Sequence, residues 1–366
     1  MTTPANASVL MVGSVPAETA EEVFGLLGPE LGRSLIGLSD GEPGFRNKWI
    51  VFNAPFVFEP NPGLEAVNKP KPNRDKSVYR HLEDWVPTSW EEMWRFRVRH
   101  GVTAVSFEDL HYAQFARESY EKFRKLRASG IIPPGPRFQV SLPLPEDFVR
   151  WCTGTDRDFT IMRHGVEDAL VNEVDKLLAA IPHEDLAIQF DVCWEVFACD
   201  ANDCLGREPL AWPASGEPFE RFASYIRRLS PRIPETVLLG MHLCYGDLEH
   251  THLIQPKDLG VCVRMANIAV AEAGRRFDFV HMPVPRDRSD DAYFAPLEKL
   301  TIGNTKLFIG LVHHTDGTQG SLQRLAAFRR HYSGPHGVAT ECGWGRRKAD
   351  TLPALLQVHR EVAAAL

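Results

Sequence analysis

No stretch of this 366-residue chain is apolar for long enough to span a bilayer, which argues against a helical membrane protein. The opening MTTPANASVLMVGS has neither a basic start nor a long apolar segment, so no secretory signal is expected. Basic charge is not in excess. Lys and Arg number 41 against 48 Asp and Glu, and the net charge of −7 has the wrong sign for a binder driven by nucleic-acid phosphates. The seven cysteines are an odd number, and Cys193, Cys199 and Cys204 lie close together without C-x-x-C spacing. A chain this long needs no disulfide staples, so a reducing cytoplasm with free or metal-bound thiols is expected. No internal repeat and no low-complexity tract occurs, and no glycine-rich dinucleotide fingerprint follows the first apolar run. With 44% hydrophobic and 24% charged residues, the chain has an ordinary globular composition, with room for one large or two ordinary domains.

What the chain does have is alternation. Strand-like apolar runs fall at residues 8–12, 33–38, 137–142, 186–190, 237–241, 277–282, 306–312 and 338–340. Helical patterns fall at 17–27, 89–100, 112–129, 166–181, 219–230, 259–274, 296–300, 322–331 and 352–365, with Gly28-Pro29, Gly101 and Gly130 as stops. Eight such runs between helices predict an α/β fold, a (β/α)8 TIM barrel forming a single catalytic domain over residues 1–366. The runs are apolar throughout, as expected of strands covered on both faces. An open doubly wound sheet is the alternative. Residues 43–100 read as an insertion after the second strand. Within it, 43–87 is irregular, rich in proline and aromatics, and carries the basic residues Lys69, Lys71, Arg74 and Lys76. Such a stretch reads as a lid or binding loop, or as a plain solvated loop.

Polar residues gather at the carboxyl ends of the runs: Ser14, Glu42, Asp191, His242, Cys244, His281, His313, His314 and Cys342. In a TIM barrel that end holds the active site. His242 and Cys244 are two apart, so an extended backbone points them to the same side. With Cys342 they offer the nitrogen and sulfur donors that zinc prefers, three ligands and an open fourth position. The residues alone also allow a hydrogen-bonded core histidine and small buried cysteines. Glu42 and Asp191 can hold a cationic amine or merely cap helices. Glu249-His250-Thr251-His252 can be a second metal-like pair or a plain loop after the fifth strand, and Arg346 and Arg347 can meet an anion or start a solvated helix. Trp194 and Trp344 can stack on a flat substrate or pack the wall.

HLCYGD at 242–247 and TECGWGRR at 340–347 together resemble the carboxyl-terminal catalytic barrel of cobalamin-independent methionine synthase, here as a short single-barrel form. The resemblance implies zinc held by His242, Cys244 and Cys342. VGS at 12–14 is similar to the family's first strand and implies a substrate contact at Ser14. GEPGFRN at 41–47 and IQFD at 188–191 imply Glu42 and Asp191 on the substrate amine. GLVHHTD at 310–316 implies a general-acid histidine, His314, with His313 beside it. The likeness follows the family's order across almost the whole chain. Where the family has its fourth ligand, a glutamate, this chain reads FVHMPVP, and His281, able to face the interior, is the candidate substitute. Val192-Cys193 replaces the family's Glu-Pro after the aspartate, and there is no second barrel to help hold folate.

The implied chemistry is methyl or alkyl transfer to a thiol, which is mostly protonated at neutral pH and becomes a nucleophile when zinc binds it. A rim histidine would protonate the leaving group. The expected cofactor is zinc, with a folate or other methyl donor. The expected partners are a small-molecule thiol and an alkyl donor, without nucleic acid or membrane. The alternatives are a carbon–sulfur lyase or transferase acting on another thiol, a metal-free enzyme resembling uroporphyrinogen decarboxylase, and a catalytically silent thiol-binding protein.

Overall fold

The structure, a computed structural model, describes residues 7–69, 93–200, 217–246 and 252–366. In chain order its strands are β1 (Gly37–Ser39), β2 (Leu64–Asn68), β3 (Arg95–Val98), β4 (Arg137–Pro143), β5 (Leu186–Val192), β6 (Leu238–Leu243), β7 (Phe279–Pro283), β8 (Lys306–Val312) and β9 (His336–Thr340). Seven of them form one parallel sheet in the order β1-β4-β5-β6-β7-β8-β9, and β2 and β3 form a separate antiparallel pair. Parallel neighbours need long crossovers. Helices supply them, among them Tyr112–Ala128 before β4, Asp156–Ala180 before β5, Pro218–Leu229 before β6, Gly260–Glu272 before β7 and Gly317–His331 before β9. Thr155 sets the start of its helix by accepting from the Asp158 backbone N–H, a standard N-cap. No described helix is long and apolar enough to cross a membrane.

The sheet curls. Leu10, Val12, Ile36, Ala187, Leu238, Phe279, Phe308 and Ala339 form a small apolar cluster separate from the main core. One leading segment and most strands feed that cluster, which requires the sheet to wrap around it. The leading segment itself departs from expectation. Residues 8–12 form no strand. Val9 makes one parallel bridge to Leu35 and one to Val338, lying between the two edge strands. The segment's ladder is short: the Leu10 N–H and Ser8 carbonyl pair with Val338 and the Val9 carbonyl accepts from Ile36, and beyond them the Met11 carbonyl accepts from Gln139 Nε2 at 2.9 Å and the Val12 carbonyl from Gln189 Nε2 at 2.6 Å. Side chains thus take carbonyls that a ladder would use.

Two further expectations need correction. The first helix does not stop at Gly28-Pro29 but runs through it, as Ala20–Leu31. A proline there removes the hydrogen bond to the Gly25 carbonyl, and Gly25 is exposed to water, so the loss is small. Residues 89–100 are not a helix where they are described. Arg95–Val98 is a strand, with Phe96 and Val98 buried on one face and Arg97 paired with Glu65 on the other. In the same region Lys69 pairs with Glu59 and lies over the Trp94 ring, while Lys71, Arg74 and Lys76 fall outside the described residues.

Along the parallel strands, inward positions change from apolar to polar towards the carboxyl end. On β5 they run Ala187, Gln189, Asp191. On β6 they run Leu238, Gly240, His242, and on β7 Phe279, His281. The period of two keeps these residues on one side, and their partners Ile188, Phe190, Leu239 and Met241 go to the outer core. Gly240 is required because the Phe279 ring lies where a Cβ would sit, 2.1 Å from it. The result is an apolar floor below a polar mouth.

Candidate metal centre and the pocket beside it

At that mouth the structure brings His242, Cys244 and Cys342 together. Their donor atoms lie within 4.8 Å of one another. The Cys244 and Cys342 sulfurs are 3.7 Å apart, and Cys342 Sγ is 3.9 Å from His242 Nε2. Two sulfurs each ~2.3 Å from one tetrahedral ion would stand about 3.8 Å apart, and a sulfur and an imidazole nitrogen about 3.6 Å apart. Cys342 therefore stands near tetrahedral spacing from both other donors, with the third pair within 4.8 Å. Burial suits this as well, since His242 and Cys244 are buried and Cys342 is partly so.

His281 does not join the donor group. In the β6–β7 register it stands beside His242, and its Nδ1 lies 2.7 Å from His242 Nδ1. Its Nε2 lies 2.9 Å from the Thr340 carbonyl oxygen. Both nitrogens are thus engaged, and the expectation that His281 is a ligand gives way to a place behind His242. A carbonyl only accepts, so His281 Nε2 carries a hydrogen and donates. Burial holds both rings below the ordinary histidine range, His281 at about 4, so both are neutral at pH 7. His281 Nδ1 then accepts from His242 Nδ1–H, and the bare nitrogen of His242 is Nε2, which faces Cys342.

Cys193, read from the sequence as an ordinary free thiol, lies close enough to Cys244 to affect its acidity. Its signal was available, because Cys193 follows Asp191 as Cys244 follows His242, and Asp191 and His242 are register partners. The neighbouring Cys193, together with burial, raises the Cys244 thiol well above its ordinary value, while Cys342 lowers it. All six described cysteines are free, and Cys204 lies outside the described residues.

The carboxylates lie next to this centre. Asp191 is buried, accepting from Gln189 Nε2 at 2.8 Å and from Trp49 Nε1 at 3.1 Å. Burial outweighs these bonds and lifts it to about 7. Glu42 is raised to about 8, by burial first and then by the charge of Asp191. Its backbone has φ +52°, an uncommon conformation for a non-glycine residue, and its N–H donates to Asp40 Oδ1 at 2.9 Å. Asp40 behaves differently. Burial raises it, but Arg46 at 2.6 Å and Ser119 at 2.7 Å prevail and hold it below the usual range. Asp40, Glu42, Arg46, Trp49, Tyr112 and Ser141 line a cleft. Arg46 and Trp49 come from the region after β1 and were not singled out from the sequence.

The two adjacent histidines differ. His313 is buried, its Nε2 2.8 Å from the Val284 carbonyl and its Nδ1 3.1 Å from Glu341 Oε2, and burial pushes it down to about 3. His314 is half-buried at the rim. Ser14 is buried against the turn after Cys342. It accepts from the Trp344 N–H on its carbonyl and from the Gly345 N–H on its hydroxyl. Trp344 is fully buried, with Nε1 donating to Thr340 Oγ1, and Trp194 packs on Phe197. Both tryptophans are wall residues. Arg347 pairs with Glu341. His252 packs on Tyr245, and Glu249, His250 and Thr251 lie outside the described residues.

No protein-family model matches the sequence, and no curated protein matches it. Solved structures do. A B12-independent methionine synthase from Shewanella sp., in complex with selenomethionine, superposes with a TM-score of 0.60 at 14% identity, over 99% of this chain and 98% of that one. A putative vitamin-B12 independent methionine synthase from Listeria monocytogenes superposes with a TM-score of 0.58 at 11% identity, over 100% and 99% of the two chains. From end to end, this chain has the fold of B12-independent methionine synthase structures.

Proposed function

We propose that the chain is a zinc-dependent transferase that moves a methyl or similar alkyl group to the thiol of a small amine-bearing substrate, on a (β/α)8-type barrel in which the 8–12 segment, though not a strand, fills the place between the two edge strands. The observation that carries this reading is the donor group of His242, Cys244 and Cys342, with a sulfur–sulfur distance of 3.7 Å. Zinc, when bound, supplies the positive charge that keeps a thiol deprotonated and nucleophilic at neutral pH. His242 and the two cysteines hold the ion, and burial keeps water from competing for it. Glu42 and Asp191 bind the substrate amine and orient the molecule, gaining in ionisation as a cation arrives. Trp49 and Gln189 aim Asp191. His314, at the rim, donates the proton to the leaving group, while His313 is held by the backbone and Glu341. Ser14, held against the turn after Cys342, contacts the substrate from that side. A folate or another methyl donor would supply the alkyl group. A reducing, cytoplasmic setting keeps the thiols available.

Support also comes from the Shewanella neighbour, whose complex with selenomethionine fits an amino-acid ligand. The test has two parts. Metal analysis of purified protein should find stoichiometric zinc, which His242→Ala, Cys244→Ser and Cys342→Ser each remove. A screen of thiols against alkyl donors should then find zinc-dependent thiol alkylation. Stoichiometric zinc that survives these substitutions, or equal turnover in fully demetallated protein, overturns the reading.

A further inference from the structure

The mechanism above makes no direct use of His281, although it is fully buried and lies against the proposed ligand His242. It stands on β7, and its Nε2 reaches the Thr340 carbonyl of β9, past the intervening strand β8. The residue of β8 under that span is Gly310. A Cβ there would meet His281 Nε2 at 2.6 Å, the Thr340 carbonyl oxygen at 2.9 Å and Glu341 Cα at 3.0 Å. Only a residue without a side chain leaves the passage open. Thr340 continues the connection, its hydroxyl donating to the Cys342 carbonyl at 2.6 Å and accepting from Trp344 Nε1 at 2.9 Å. One hydrogen-bonded line thus runs from the His242 ring to the backbone of Cys342.

We propose that His281 is a positioning residue for the metal centre: it fixes His242 in the tautomer whose Nε2 faces the two cysteines, and Gly310 is the gap that lets it brace against the strand leading to Cys342. The inference rests on the metal reading for its purpose, but the tautomer it assigns is a property of the metal-free protein. Hydrogen bonds behind a metal-binding imidazole set its tautomer and ring orientation, and their loss typically weakens metal binding 10- to 100-fold.

The test uses the full chain. In metal-free, ¹⁵N-histidine-labelled wild type, nitrogen shifts should report His242 with the hydrogen on Nδ1 and Nε2 bare. In His281→Phe the ring should move to a mixture with Nε2–H, and zinc affinity measured by chelator competition should fall about 10- to 100-fold. His281→Asn, whose amide oxygen can accept from His242 Nδ1, should restore most of the affinity. Gly310→Ala, which changes no donor, should reproduce the loss and provides the test if His281→Phe does not fold. The inference is overturned if wild-type His242 carries its hydrogen on Nε2, or if it stays an Nδ1–H tautomer in both His281→Phe and Gly310→Ala. If the tautomer switches as stated but wild type takes up no zinc, this inference stands and the metal reading fails.

Discussion

Trp49 Nε1 donates to Asp191 Oδ2 over 3.1 Å, although 142 positions separate the two residues. The bond ties the region after β1 to the carboxyl end of β5. Trp49→Phe keeps the ring and removes the donor. The expected loss is that of one hydrogen bond to a charged group, about 1.5–3 kcal/mol, read as a roughly tenfold to hundredfold weaker binding of an amine-bearing ligand such as methionine. Calorimetric titration of both proteins at pH 8 checks it.

The raised carboxylates make a prediction about pH. Asp191 at about 7 and Glu42 at about 8 are both above the ordinary carboxylate range. Amine binding should therefore strengthen as pH rises from 6 to above 8, while the ligand amine remains charged. Stability of the ligand-free protein should move the other way. The folded state holds protons that the unfolded chain has already released, so stability falls as pH climbs from the ordinary carboxylate value through the folded one, then levels. Asp191→Asn removes its own share of this loss and eases that of Glu42, and should raise the melting temperature at pH 8 but not at pH 4.

His313 and His314 should separate cleanly. His313→Gln disturbs the contacts with Val284 and Glu341 and should cost about 1–3 kcal/mol of stability in denaturant unfolding. His314→Gln should leave unfolding within ~0.5 kcal/mol of wild type and lower turnover while KM for the thiol stays unchanged. A reversed pattern would exchange their roles.

The turn after Cys342 should tolerate no side chain at Gly345. A Cβ there would lie 2.7 Å from both the Cβ and Oγ of Ser14. Gly345→Ala should displace Ser14 and weaken zinc retention against a chelator, even though it alters no donor atom. Unchanged retention would mean the turn moves independently of the metal centre.

Much of this architecture could be read from the chain because parallel strands buried on both faces leave continuous apolar runs. Lys306–Val312 has the bounds the sequence predicts, and β4 to β7 lie within a residue or two of theirs. The donors His242, Cys244 and Cys342 were legible through short motifs at strand ends. The misses share a cause, namely partners distant in sequence. The leading segment pairs only at residues 8–10, and its next carbonyls meet Gln139 and Gln189, whose reach across the interior no local pattern encodes. Arg95–Val98 is a strand because Leu64–Asn68 pairs with it. Trp49 and Cys193 gain their meaning from Asp191 and Cys244. His281 was legible as inward-facing but not as engaged at both nitrogens, which depends on the absence of a side chain at Gly310.

The sealed apolar cluster at the amino ends of the strands governs traffic. Leu10, Ala187, Leu238 and Phe279 fill the base of the sheet with apolar side chains. A charged or hydrated molecule would have to shed its water to pass that stopper, so the polar end of the sheet is the favoured way to and from Asp191.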